Sequence, residues 1–268
     1  MTRQDHRRYN PGMADAPTQV RYAQDGPIAT LTFDRPEARN AWSEAMLAQT
    51  IAALDRAAAD PAIRVVVVTG AGPAFHAGGD RKAMQERSGM FAGDPAELRE
   101  RYRAGIQSVP RRIAEFDKPL IAAINGPAIG AGLDFACMCD LRVAAKGAVM
   151  GSTFVTIGLV PGDGGAFFLA RAVGFPRALE LMLMGRVLDA DEALRIGLVH
   201  EVVAAEELLP AAWRLANRIA AHPPLAVQMT KRAAYRAWPG DQAAALELAA
   251  TFQGIAQNSA EHKRALGS

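Results

Sequence analysis

Residues 118–145 read KPLIAAINGPAIGAGLDFACMCDLRVAA. The run from Leu120 to Ile124 shows no polar alternation, the pattern of a strand covered on both faces, and Asn125-Gly126-Pro127 ends it. Gly130, Ala131 and Gly132 then open a short helix whose first N–H groups have no partner inside it, so its start favours an anion or a developing negative oxygen. Asp134 falls in the first turn, where an acid either complements the helix dipole or takes part in catalysis. LRVAA is the next buried strand. Strand, glycine turn, helix and strand in this order define an α/β chain.

Working outward, the same grammar extends upstream. VRYA, a Gly26-Pro27 turn and IATLTF predict a hairpin from about Gln19 to Phe33. Ser43 caps a helix with Leu47, Ile51, Leu54 and Ala58 on its inner face, ended by Asp60-Pro61. IRVVVVTG is a second strand buried on both faces, and AFHAGGDRKAM (residues 74–84) follows it with paired glycines beside Arg81 and Lys82. Leu98, Tyr102, Ile106, Val109 and Ile113 keep helical spacing behind SGMFAGDP, a candidate lid. Downstream, IGLVPGDGGAFFLAR (157–171) shapes another glycine loop into a helix, with Asp163 either a cap or an acid. Beyond Pro176 the text is almost wholly helical, an annex on an α/β core. Residues 1–17 show no apolar period and are expected to form a mobile tail.

Composition narrows the function classes. Hydrophobic residues at 50% and charged residues at 22% supply a sizeable core. Thirty basic against 28 acidic side chains leave +2, too little to draw the whole molecule to nucleic acid or an anionic membrane, so any anion site is local. Cys137 and Cys139 form neither a disulfide framework nor a metal cluster, which fits a reducing compartment. No apolar run reaches about 18 residues and the first residues lack the apolar core of a secretory signal, so a cytoplasmic location is expected. Serine-hydrolase, P-loop, dinucleotide and zinc motifs are absent. His76 reads as a surface or capping histidine, and Phe154, Phe167 and Phe168 as core or acyl-pocket side chains.

DRPEARNA (34–41), AFHAGGDRKAM, NGPAIGAGLDFACMCDLRVA and GLVPGDGGAFFLARAVG followed by ALELMLMGR together resemble the enoyl-CoA hydratase/isomerase (crotonase) superfamily, from about Val20 to Leu266. The resemblance implies an α/β fold, a crotonase-like spiral of ββα turns followed by a C-terminal helical trimerisation region. Residues 18–200 would be the core that binds acyl-CoA, and 201–268 the helical region for oligomerisation, as a homotrimer or dimer of trimers. It implies an acyl-CoA thioester as substrate, with coenzyme A part of that substrate and no tightly bound cofactor, metal, nucleic acid or membrane partner.

By the same resemblance, the N–H groups of Gly79 and Ala131 form an oxyanion hole for the thioester enolate, while Ala38, Arg39, Asp80, Arg81 and Lys82 meet the coenzyme. The family's two hydratase glutamates correspond to Asp134 and Phe154, and the isomerase carboxylate to Gly162, one place before Asp163. Asp134, Asp163 or both are the expected proton shuttle. Hydration or isomerisation leads. Other enolate chemistry (decarboxylation, hydrolysis or C–C cleavage) and a non-catalytic CoA- or RNA-binding scaffold stay open. Family chains commonly continue past AEHKRAL with a helix that closes over the nucleotide; here that closure is expected to be looser or to use Lys263 and Arg264.

Overall fold

A computed structural model describes residues 17–238 and 240–266. Of the expected tail only Pro17 is among them, its carbonyl accepting a hydrogen bond from Gln49 Nε2 at 3.0 Å; the rest of that expectation lies outside the described residues. β1 (Val20–Asp25) and β2 (Ile28–Phe33) form the antiparallel hairpin. Ser43 caps α1 (Glu44–Ala59), its Oγ accepting from the Met46 N–H at 3.1 Å. The inner face of α1 carries Met46, Leu47, Thr50, Ala53, Leu54 and Ala57, and is turned so that Ala58, expected inside, is exposed. β3 (Val65–Gly70) is the VVVV strand.

Next come α2 (Arg81–Gln85), α3 (Pro95–Ala104) and α4 (Ser108–Ala114). The apolar spacing through Leu98–Ile113 predicts one helix, but Gly105, at φ −96° and ψ −97°, leaves helical geometry and divides it. The candidate lid buries Met90 and Phe91 in the core. β4 (Leu120–Ile124), β5 (Ala128–Ile129), α5 (Ala131–Met138) and β6 (Leu141–Ala145) are the unit quoted above, followed by β7 (Val149–Gly151). Then α6 (Gly165–Val173), α7 (Phe175–Met184), β8 (Val187–Asp189), α8 (Ala190–Arg195) and β9 (Glu201–Val203) lead into α9 (Leu208–Ala220), α10 (Pro224–Ala237), α11 (Gln242–Gln257) and α12 (Ala260–Ala265). The stretch beyond Pro176 therefore contains two strands that helical text conceals.

The main sheet runs β1-β2-β3-β4-β6-β9, parallel from β2 onward, and β5-β7-β8 form a second small sheet. Continuous apolar strands serve both faces. Val65, Val67, Ile121 and Ala123 meet α9 through its small residues Ala211, Ala212 and Ala216. Val66, Val68, Leu120 and Ala122 face the larger core, where Phe33, Phe75 and Phe135 pack edge to face or tilted. β9 and α9 complete the sheet and cover its face, so the sheet-bearing unit continues past residue 200 to Ala220. By contrast α10, α11 and α12 contain no fully buried residue. No helix of the described residues is long and apolar enough to cross a membrane.

Candidate active site

The loops after β3 and β5 lie side by side. The N–H groups of Phe75 and His76 both donate to the Pro127 carbonyl at 3.1 Å, and the Ile129 N–H donates to the His76 carbonyl at 3.0 Å. Two asparagines brace them. Asn40, fully buried, accepts from the Arg35 N–H at 2.8 Å and donates through Nδ2 to the carbonyls of Ala71 and Ala74 at 3.0 and 2.8 Å. Asn125 accepts from the Gly70 N–H and donates to the Gly72 carbonyl, each at 3.0 Å. Gly78 is required where the loops touch: its φ is +85°, and a Cβ there would lie 2.7 Å from the Ile129 carbonyl oxygen.

Gly79 and Ala131, carried by these braced loops, line one cavity of about 130 Å³. Neither of their N–H groups donates to an acceptor among the described residues. Ala131 is the first residue of α5, so its N–H is free by helix geometry. Trp42, Tyr102, Phe154 and Asp163 complete the walls. Beyond Arg81, Met84 and Tyr102 the cavity runs on into a groove of about 450 Å³ lined by Phe91, Leu98 and Leu159. Among the described residues no group of three or more His, Cys, Asp or Glu side chains is placed to hold a metal ion.

The structure brings Asp134 and Asp163 together. Both are buried, at 0% and 4% exposure, yet only Asp163 reaches the cavity wall. Neither oxygen of Asp134, nor Oδ1 of Asp163, finds a donor elsewhere among the described residues. Burial pushes the Asp134 carboxyl well above the usual carboxylate range, and the Asp163 charge and the hydrogen bond between the two carboxyls push the same way. Burial raises Asp163 too, while the hydrogen bonds from Asp134 and from its own backbone pull it back. Phe154 sits in a 3-10 turn and gives the cavity an apolar wall where the family resemblance places a second acid.

Other expected residues fall differently. Arg39 and Asn40 adopt left-handed backbone, and the exposed Arg39 accepts from the Ala77 N–H, tying the 36–40 turn, Ala38 included, to the Gly79 loop. Asp80 caps α2 through the N–H groups of Lys82 and Ala83 and pairs with Arg35 at 2.9 Å, so its carboxylate serves the scaffold. Arg81 lines both cavity and groove, whereas Lys82 extends into solvent near Glu86. His76 is not a surface residue. It is fully buried against Trp42, its Nδ1 accepts from the Gly78 N–H at 2.9 Å, and burial lowers its pKa to about 3. Burial likewise pushes the thiols of Cys137 and Cys139 up to about 12. Phe167 is half exposed beneath the Arg171 guanidinium, and Phe168 packs on the core. Arg112, Lys231 and Arg232 each pair with an acid, Asp55, Asp140 and Asp117 respectively.

Two functional-site residues escape the sequence reading. Tyr102 lines the cavity near Asp163, and Gln107 donates through Nε2 to the Gly162 carbonyl at 2.8 Å, holding the loop that carries Asp163. The polar signal for Tyr102 is a hydroxyl on an otherwise apolar helical stripe.

Gly79 and Ala131, whose N–H groups meet no acceptor among the described residues, and the buried acid Asp163 thus line one small cavity. The family model described as enoyl-CoA hydratase/isomerase matches residues 23–268, and the chain belongs to that family. It is 38% identical to the crotonyl-CoA hydratase of Syntrophomonas wolfei over 89% of this chain and 90% of that protein. It is 39% identical to the 2,3-dehydroadipyl-CoA hydratase of Escherichia coli over 77% of each. The crystal structure of enoyl-CoA hydratase from Bacillus anthracis superposes with a TM-score of 0.87 at 30% identity, covering 93% of this chain and 95% of that one. The fold is thus the crotonase type, and the protein is an acyl-CoA-processing enzyme of the hydratase/isomerase family.

Proposed function

We propose that the enzyme removes and returns a proton beside the thioester carbonyl of an enoyl-CoA, with the Gly79 and Ala131 N–H groups on the enolate oxygen and a carboxyl of the Asp134–Asp163 pair moving the proton. One observation carries the reading: Gly79 and Ala131, whose N–H groups meet no acceptor among the described residues, line the same cavity as Asp163. Preorganised donors cost no reorganisation when charge develops, and each is worth about 2.7–4 kcal/mol in the transition state. Asp163 is the one carboxylate among the described residues that line the cavity, which suits an allylic shift, in which a single base carries the proton from the α to the γ carbon or back. Hydration is the second reading, favoured by the hydratase names of relatives at 38% and 39% identity.

Arg81, at the join of cavity and groove, is the cation best placed for the coenzyme, with the 36–40 turn beside it. The exposed Trp238, Leu246 and Leu266 of the C-terminal region, together with Phe175, Leu183 and Met184 on α7, support an assembly surface that includes 201–268; a trimer or dimer of trimers is the form the family resemblance implies, and the cytoplasm the location expected from the sequence. A panel of 2-enoyl-, 3-enoyl- and 3-hydroxyacyl-CoA esters separates the readings. Interconversion of 2- and 3-enoyl esters without water addition is expected; 3-hydroxyacyl-CoA as the main product assigns hydration instead.

A further inference from the structure

We infer that Asp134 is the permanently neutral member of the acid pair, a positioning residue that donates a hydrogen bond to Asp163, and that Asp163 is the carboxylate touching substrate. This rests on the enolate reading above and divides the labour within it. Asp163 lines the cavity with Gly79 and Ala131, whereas Asp134 lies wholly behind that wall. Three of their oxygens meet no other donor among the described residues, and the two carboxyls share a hydrogen bond with each other. Two carboxyls in mutual contact and out of water do not both hold a charge.

The backbone around them enforces that contact. Gly165 begins α6 directly under Asp134, where a Cβ would lie 2.2 Å from both carboxyl oxygens, so the carboxyl is pressed against the loop that carries Asp163. Gln107 clamps the same loop at Gly162. The groups facing the pair leave its proton in place. Tyr102 from α3 has its phenol raised by burial and by Asp163, and Cys137 from α5 has its thiol pushed up to about 12. Arg81 of α2 stands at the same cavity, but no cation acts on either carboxyl.

In turnover Asp163 takes the α-proton. A new O–H bond forms as the C–H bond breaks, and the C–H electron pair passes into the enolate held by Gly79 and Ala131. The same proton then returns to carbon, and the Asp134 proton stays where it is. Asparagine offers an N–H where neutral aspartic acid offers an O–H, which makes the assignment testable.

The test uses the full chain and two readouts: the infrared C=O stretch of a protonated carboxyl at neutral pH, and exchange of the α-hydrogens of a short saturated acyl-CoA in deuterated water. The expected results are that Asp134→Asn removes the infrared band yet keeps exchange within a few-fold with an unchanged acidic limb. Asp134→Leu, which lacks a donor, moves that limb to higher pH, and Asp163→Asn keeps the band while slowing exchange about a hundredfold or more. The inference is overturned if the band survives Asp134→Asn, or if that variant loses exchange as Asp163→Asn does. Should the unaltered protein exchange no α-hydrogen of any CoA ester, the enolate reading fails on its own, and the band still confirms or refutes the neutral Asp134.

Discussion

The two halves of the site are built on opposite principles. The arms that present Gly79 and Ala131 are saturated with hydrogen bonds, with Asn40 alone joining the Arg35 N–H to the carbonyls of Ala71 and Ala74. The acid pair is starved of them, with three buried oxygens that no other described residue satisfies. The arms must not move when charge arrives on the substrate, so many of their backbone groups are tied to one another, while the Gly79 and Ala131 N–H groups meet no acceptor among the described residues. Asp163 must take up and give back a proton, so the surroundings of the pair withhold the further donors that would fix its carboxylate in the charged form.

The comparison breaks most sharply at Gly79. Gly79→Pro deletes one donor while the nearest obstacle to a side chain is the flexible end of Met84, and turnover should fall by about 10²–10³ with the fold retained by circular dichroism. Asn40→Ala attacks the bracing instead. It strands a buried N–H and two carbonyls, and the denaturant-unfolding free energy should drop by roughly 1–3 kcal/mol.

His76 belongs to the braced side, with Nδ1 accepting from the Gly78 N–H and Nε2 buried without a partner among the described residues, and tests it through pH. Burial lowers its pKa from the ordinary 6.5 to about 3 on folding, so the unfolded chain binds the proton that the folded one refuses. The stability it contributes is whole above about pH 6.5 and is lost as pH falls toward 3, by about 1.4 kcal/mol for each unit. Unfolding midpoints of His76→Asn should therefore decline less than those of the wild type across that window. The smallest effect concerns the coenzyme. Arg81→Ala should raise KM for the CoA ester by about tenfold, as for loss of one charge-assisted contact, while Lys82→Ala, out in solvent, should leave KM unchanged.

Much of this was legible in the sequence because it is local. The hairpin, the Ser43 cap, the VVVV strand and the strand–glycine–helix–strand unit each carry their signal within a few residues, and the glycine loops mark the oxyanion arms. β5, β7, β8 and β9 are two or three residues long, too short to show a period, and exist through pairing with distant strands. Asp134 and Asp163 are each visible as an acid near a helix start, but nothing in the text says that α6 folds back until they touch. The glycine at 165 records that contact, and its meaning appears only once the clash a side chain would make is seen. His76 misleads for the same reason, since a histidine beside glycines looks exposed until Phe33 and Trp42 close over it.

The central claim is that two braced N–H groups and one cavity-facing carboxyl make and hold a thioester enolate. The most direct measurement is the rate at which a saturated acyl-CoA, which can be neither hydrated nor isomerised, trades its α-hydrogen for deuterium. The account predicts exchange by the wild type that collapses in both Gly79→Pro and Asp163→Asn. Exchange that proceeds at the wild-type rate in either variant would contradict it.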